Sequence, residues 1–149
     1  MTLKERISAD LRQAQKSGDK VRMSVLRLVV AGIKNTEIDK RDSLDDAGVI
    51  EVLSREAKQH RESIAEFAKG NRQDLVDSNE EELAILMEYL PEQMSQEEIE
   101  ALARQAVEQV GARGPADKGK VMGQLMPQLK GKADGKEVND VVTALLSGE

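Results

Sequence analysis

Ser95-Gln96-Glu97-Glu98-Ile99-Glu100-Ala101-Leu102-Ala103-Arg104-Gln105-Ala106-Val107-Glu108-Gln109-Val110-Gly111 reads as one helix from start to stop. Ser95 and Glu98 stand at capping-box spacing, where each side chain satisfies an orphan N–H of the first turn. Ile99, Leu102, Ala103, Ala106, Val107 and Val110 then recur at three- and four-residue intervals and form one apolar stripe. Gly111 supplies the stop. Just upstream, Pro91 cannot continue a preceding helix. Pro91-Glu92-Gln93-Met94 therefore reads as a connection between two helical units, 1–92 and 93–149.

The same grammar extends toward the N-terminus. Thr2 and Glu5 open a helix whose stripe is Leu3, Ile7, Leu11 and Ala14, and Gly18 ends it. Asp19 caps a second helix. Its apolar set, Val21, Val25, Leu28, Val29 and Ile33, widened by Met23, Leu26 and Val30, predicts a helix buried on several sides. Ser43 with Asp46 signals a third start. That helix runs to about Lys69 with Val49, Ile50, Val52, Leu53, Ala57, Ile64 and Phe67 inward, and Gly70 is its expected C′ glycine. Asn71 opens a fourth helix, with Ser78 a point of potential interruption and Leu83, Leu86, Met87 and Leu90 inward.

Toward the C-terminus, Arg113-Gly114-Pro115-Ala116 is a short loop and Asp117 is expected to cap a sixth helix. Val121, Met122, Leu125, Met126 and Leu129 form its stripe. Pro127 cannot donate to the Gly123 carbonyl, so a kink or break is expected there. Asp134 caps a last helix built on Val138, Val141, Val142, Leu145 and Leu146. No segment alternates with a period of two. The expected fold is all-α, a bundle of four helices followed by a smaller unit of three.

Composition narrows the function classes. With only Phe67 and Tyr89 as aromatics, the core is aliphatic. The absence of cysteine removes disulfides and thiolate chemistry, and His60 alone makes no histidine metal cluster. No metal site or cofactor is expected. No apolar run approaches the roughly 20 residues that span a bilayer, and Met1–Arg6 lacks the apolar region of a secretory signal, so no membrane partner and a cytoplasmic location are expected. The net charge of −6 is unevenly spread. Residues 1–41 carry ten Lys/Arg and five Asp/Glu, residues 42–111 carry six and eighteen, and residues 112–136 carry six and two. Basic ends around an acidic middle suit a polyanion, and they equally suit solvated helix faces. His60, among Arg55, Glu56, Lys58, Arg61 and Glu62, reads as part of an exposed salt-bridged face.

No nucleophile–base set is legible, and no catalytic residue is assigned. Gly114 stands at Walker A distance from Gly119-Lys120, but Val121 replaces the hydroxyl residue and no strand precedes. The stretch with chemical character is Asp117 to Val138, which holds five lysines and four glycines. Lys118, Lys120, Lys130, Lys132 and Lys136 could contact phosphate, helped by free N–H groups near helix N-termini. Gly119 and Gly123, one helical turn apart, form a strip that another backbone could approach. The residues leave two readings open, an anion site or a helix-packing strip with solvated lysines. Lys20, Arg27 and Lys34, seven apart, are a secondary basic strip.

Asp117-Lys118-Gly119-Lys120-Val121-Met122-Gly123 and Lys130-Gly131-Lys132-Ala133-Asp134-Gly135-Lys136 resemble the tail signature of the GatB/YqeY family. Tyr89-Leu90-Pro91-Glu92-Gln93-Met94-Ser95 resembles its inter-domain junction, and Asp19-Lys20 with Leu26-Arg27, then Ile33-Lys34-Asn35-Thr36-Glu37-Ile38, its N-terminal block. The resemblance spans nearly the whole chain. It implies a tail shared with the B subunit of the glutamine-dependent tRNA amidotransferase, a carbon–nitrogen ligase of translation. By that likeness the chain would be a tRNA-binding accessory protein that works beside an aminoacyl-tRNA synthetase or amidotransferase, with no DNA partner. Lys118, Gly119, Lys120, Gly123, Lys130, Lys132 and Lys136 would then hold tRNA. The alternative is an adaptor that docks a partner helix on the glycine strip.

Overall fold

The computed structural model describes residues 1–148. It is helical throughout, with α1 Leu3–Ser17, α2 Lys20–Lys40, α3 Asp46–Lys69, α4 Gln73–Met87, α5 Gln96–Val110, α6 Lys118–Leu129 and α7 Gly135–Leu146. A single 3-10 turn, Pro115–Asp117, precedes α6. The chain divides into two compact units, Met1–Leu90 and Pro91–Glu149.

Local chemistry accounts for most boundaries. The side chains of Thr2, Asp19, Asp45, Ser95 and Asp134 accept from the first-turn N–H groups of α1, α2, α3, α5 and α7. Gly18 and Gly111 end α1 and α5 in the left-handed region, at φ 76° and 67°. Four boundary expectations are corrected. The α3 cap is Asp45, whose carboxylate is 2.9 Å from Gly48 N, so Ser43 stays outside. After α3 the left-handed residue is Asn71 (φ 56°), not Gly70, because asparagine also tolerates that region. α4 runs unbroken through Ser78, with Asn79 donating to the Leu75 carbonyl at 2.8 Å. Asp117 makes no cap bond to α6. Its carboxylate accepts from Arg113 N at 3.0 Å and so closes the loop before the helix.

In the first unit Ile7, Leu26, Val29, Ile33, Val49, Leu53 and Leu86 are sealed from solvent. Tyr89 joins them, 4% exposed. Gly32 lets α3 come close: a Cβ there would stand 3.0 Å from Val52 Cγ1. Leu28, expected inward, is 55% exposed. Val25, Leu26, Val29 and Ile33 already fill the inner face of α2, and Leu28 lies on the other side of the helix. His60 is also corrected. It is half-buried, with Nδ1 2.9 Å from Asn79 Oδ1 and 3.5 Å from Glu82 Oε2, so it links α3 to α4.

The second unit packs α5, α6 and α7 around Ile99, Ala103, Val121, Leu125, Leu129, Val138 and Val142. The α-helix of α6 continues through Pro127 to Leu129, against the expected break. Pro127 lies within the last turn, so only one intrahelical bond is lost, to a Gly123 carbonyl on the exposed side.

Candidate functional site

α6 presents two faces. Val121, Leu125 and Leu129 are buried, and Lys118, Met122 and Met126 flank them half-buried. The other face carries Gly119, Gly123 and Pro127 in one row and Lys120, Gln124 and Gln128 in the next, all exposed. A Cβ built on Gly119 or Gly123 meets nothing within 4 Å. The glycines therefore pack no helix of this chain, and the packing reading fails within the unit. What they leave is a groove of bare backbone beside a ridge of three amphipathic or amide side chains. Gln124 Nε2 donates to Gln109 Oε1 at 2.9 Å, which ties the ridge to α5.

The lysines do not converge on that groove. Lys118 and Lys120 lie at the start of α6 and Lys130 at its end, about 18 Å away along the axis at 1.5 Å per residue. Lys120 Nζ is 3.9 Å from Asp117 Oδ1. Lys136 and Arg104 line a cleft of about 380 Å³ between α5 and α7, together with Glu100, Asp134, Glu137 and Asp140, so carboxylates outnumber cations there and oppose an anion. The Lys130–Lys132 turn has a structural task. Its backbone accepts from Gln93 Nε2 at Gly131 O and from Met94 N at Lys132 O, both at 2.8 Å. Gly131 makes the turn with φ 79°. Sequence reasoning missed this task, because the acceptors are backbone carbonyls and carry no side-chain signal.

Elsewhere, one polar cluster stands out in the first unit. The Tyr89 hydroxyl donates to Asp10 Oδ2 at 2.6 Å, and the Arg6 guanidinium lies 4.7 Å from the ring centroid. Arg22 Nη1 is 2.6 Å from Glu88 Oε2, a pair that raises the Arg22 pKa. Burial first, then the Asp10 hydrogen bond, pushes the Tyr89 hydroxyl up to about 12. Among the described residues no group of His, Asp and Glu has the arrangement of a metal site. Nor, among the described residues, is any helix long and apolar enough to cross a membrane.

Fold and surface together define a two-unit, all-helical protein with an open helix face in its second unit. The chain belongs to the Yqey-like protein family, whose model matches residues 4–146. It is similar to "Altered inheritance of mitochondria protein 41, mitochondrial" of Pyrenophora tritici-repentis, with 30% identity over 146 residues, 93% of this chain and 80% of the relative. The protein of the same name from Kluyveromyces lactis is 34% identical over 134 residues, 87% of this chain and 68% of the relative. That from Lachancea thermotolerans is 38% identical over 85 residues, 56% of this chain and 46% of the relative.

These names correct two expectations. The relatives are named as mitochondrial proteins, which conflicts with a cytoplasmic location. That expectation rested on the lack of a secretory signal and of a membrane span, and a mitochondrial protein need carry neither. The names also point to mitochondrial members of the family and not to a tRNA-binding accessory of the amidotransferase. The tRNA assignment of Lys118, Gly119, Lys120, Gly123, Lys130, Lys132 and Lys136 is withdrawn with it, as is that of Lys20, Arg27 and Lys34.

Proposed function

We propose that this protein is a helical adaptor whose second unit receives a helix of a partner protein on the open face of α6. The observation that carries the reading is the bare Gly119–Gly123 row, where an added Cβ would meet nothing within 4 Å, with the exposed Pro127 one turn further on. Glycine inside a helix costs about 1 kcal/mol relative to alanine. Nothing within the unit offsets that cost at Gly123. Close approach of a second backbone would offset it, and Lys120, Gln124 and Gln128 offer hydrogen bonds along one side of the groove. The partner is to be sought in mitochondria, the compartment in the relatives' names.

Gly123→Ala separates this reading from a purely structural one. The new methyl meets open space, so the variant should be about 1 kcal/mol more stable to denaturant. Gly123→Leu should keep its helical content and lose the partner. A photo-crosslinker at Gln128 of the full chain should join it to a protein at one defined segment, and Gly123→Leu should abolish that adduct. Crosslinks that go only to RNA, or a protein adduct indifferent to Gly123→Leu, would overturn the adaptor reading.

A further inference from the structure

α2 is apolar on two sides, and the first unit covers only one of them. Apart from Met1, the large hydrophobic side chains that stand exposed are Leu28 and Ile38, at 55% and 72%, both on α2. They belong to a straight seam, Ser24, Leu28, Ala31, Asn35 and Ile38, spaced four, three, four and three, and every member is exposed. That spacing is the a/d repeat by which one helix receives another, with Asn35 as the polar position that fixes register.

Lys20, Arg27 and Lys34 run beside the seam at seven-residue intervals, where flanking residues of such a repeat face the partner. None of the three forms an ion pair among the described residues. Nearby acids are engaged elsewhere or lie off the rail. Glu37 is held by Lys4 Nζ at 2.7 Å and Leu44 N at 2.9 Å, bonds that lower its pKa; Asp42, which shares a recess with Lys34 and Ile38, accepts from Ser43 N at 2.8 Å; and Asp39 stands on the opposite flank of the seam from the rail. The chain as a whole is negative, at −6, so an uncompensated basic rail is a local exception.

We propose that the outer face of α2 docks an acidic amphipathic helix of another protein, with Leu28, Ala31 and Ile38 packing against its apolar seam and Lys20, Arg27 and Lys34 facing its carboxylates. Charge selects this occupant over a second copy of the chain, because two basic rails brought together repel. From Lys20 to Lys34 the rail is about 21 Å long, enough for some four turns of partner helix. This surface lies in the first unit and does not depend on the α6 groove.

The probe is a synthetic helix of about three heptads with Leu at a and d and Glu at e and g. Calorimetric titration into the full-length protein should show binding that weakens with salt. The same peptide with Lys in place of Glu should not bind. Leu28→Asp with Ile38→Asp should weaken binding about tenfold or more. Lys20→Glu, Arg27→Glu and Lys34→Glu together should reverse the preference toward the Lys peptide. These positions are exposed, and circular dichroism of each variant checks that the fold is kept. Gly123→Leu should leave peptide binding unchanged, so failure of the α6 reading is read separately. The proposal is overturned by no binding, by binding indifferent to Leu28 and Ile38, or by a homodimer that Leu28→Asp dissolves. Cation-dependent binding of RNA or anionic vesicles without peptide binding overturns it as well.

Discussion

The Tyr89 side chain is buried in the core of the first unit, and its hydroxyl finds a polar partner there. It donates to Asp10 Oδ2 while the ring fills the core and Arg6 covers its face. Tyr89→Phe removes the donor and should lower stability by about 1 kcal/mol at neutral pH. The sign of the pH dependence follows from the direction of the shift. Folding raises the Tyr89 pKa from 10.0 to about 12, so the neutral hydroxyl stabilises the fold fully below pH 10.0. That contribution is lost as pH rises toward 12. The stability gap between wild type and Tyr89→Phe should therefore narrow between those values, measured by urea denaturation of both proteins. A gap that stays constant would mean that the hydroxyl does not titrate against Asp10. The partner of Tyr89 was not legible in the sequence. Asp10 lies 79 residues away and looks like any exposed acid of α1. Caps were legible at Thr2, Asp19 and Ser95, because a cap and its target are three residues apart.

At the scale of elements, α6 and the turn after it hold glycines with opposite tasks. Gly123 sits in regular helix beside open space, whereas Gly131 holds φ 79° and turns the chain so that its carbonyl meets Gln93. Alanine at 123 stabilises, as argued above. Alanine at 131 should destabilise by about 1–2 kcal/mol, because a side chain in the left-handed region is strained. Chemical denaturation of the two variants side by side reads the opposite signs. Two stabilities shifted the same way would show that one of these glycines has been misread. The sequence shows four glycines close together in both cases and does not distinguish them, since φ is set by the tertiary course of the chain. α2 makes the same point differently. Periodicity showed that its apolar face is broad, but it does not show which of those residues this chain covers, and the structure leaves Leu28 and Ile38 exposed.

At the scale of the whole molecule, each unit has a core of its own. Ile7, Leu26, Val49 and Leu86 belong to one cluster and Ile99, Leu125, Val138 and Val142 to another. The second unit also carries its own N-terminal fastening, since Met94 and Gln93 bond to the Lys132 and Gly131 carbonyls. Pro91 and the Ser95 cap marked this connection in the sequence, but the fastening did not, and it alters where a protease should act. Residues 93–95 are held, and Glu88 is paired with Arg22 beside the buried Tyr89, so a glutamyl protease should cut first after the exposed Glu92 and release 93–149. A fragment of residues 91–149 should then fold alone, with helical circular dichroism and a cooperative thermal transition. A unit of about 60 residues is close to the lower size for an unaided core, so its melting should be easily shifted by single changes. Ser95→Ala, which leaves the first turn of α5 uncapped, should lower the fragment's stability by about 1 kcal/mol. If the fragment is unfolded, or melts only when the 1–90 fragment is added back, the two units are one cooperative body. The α6 and α2 surfaces would then have to be treated as coupled.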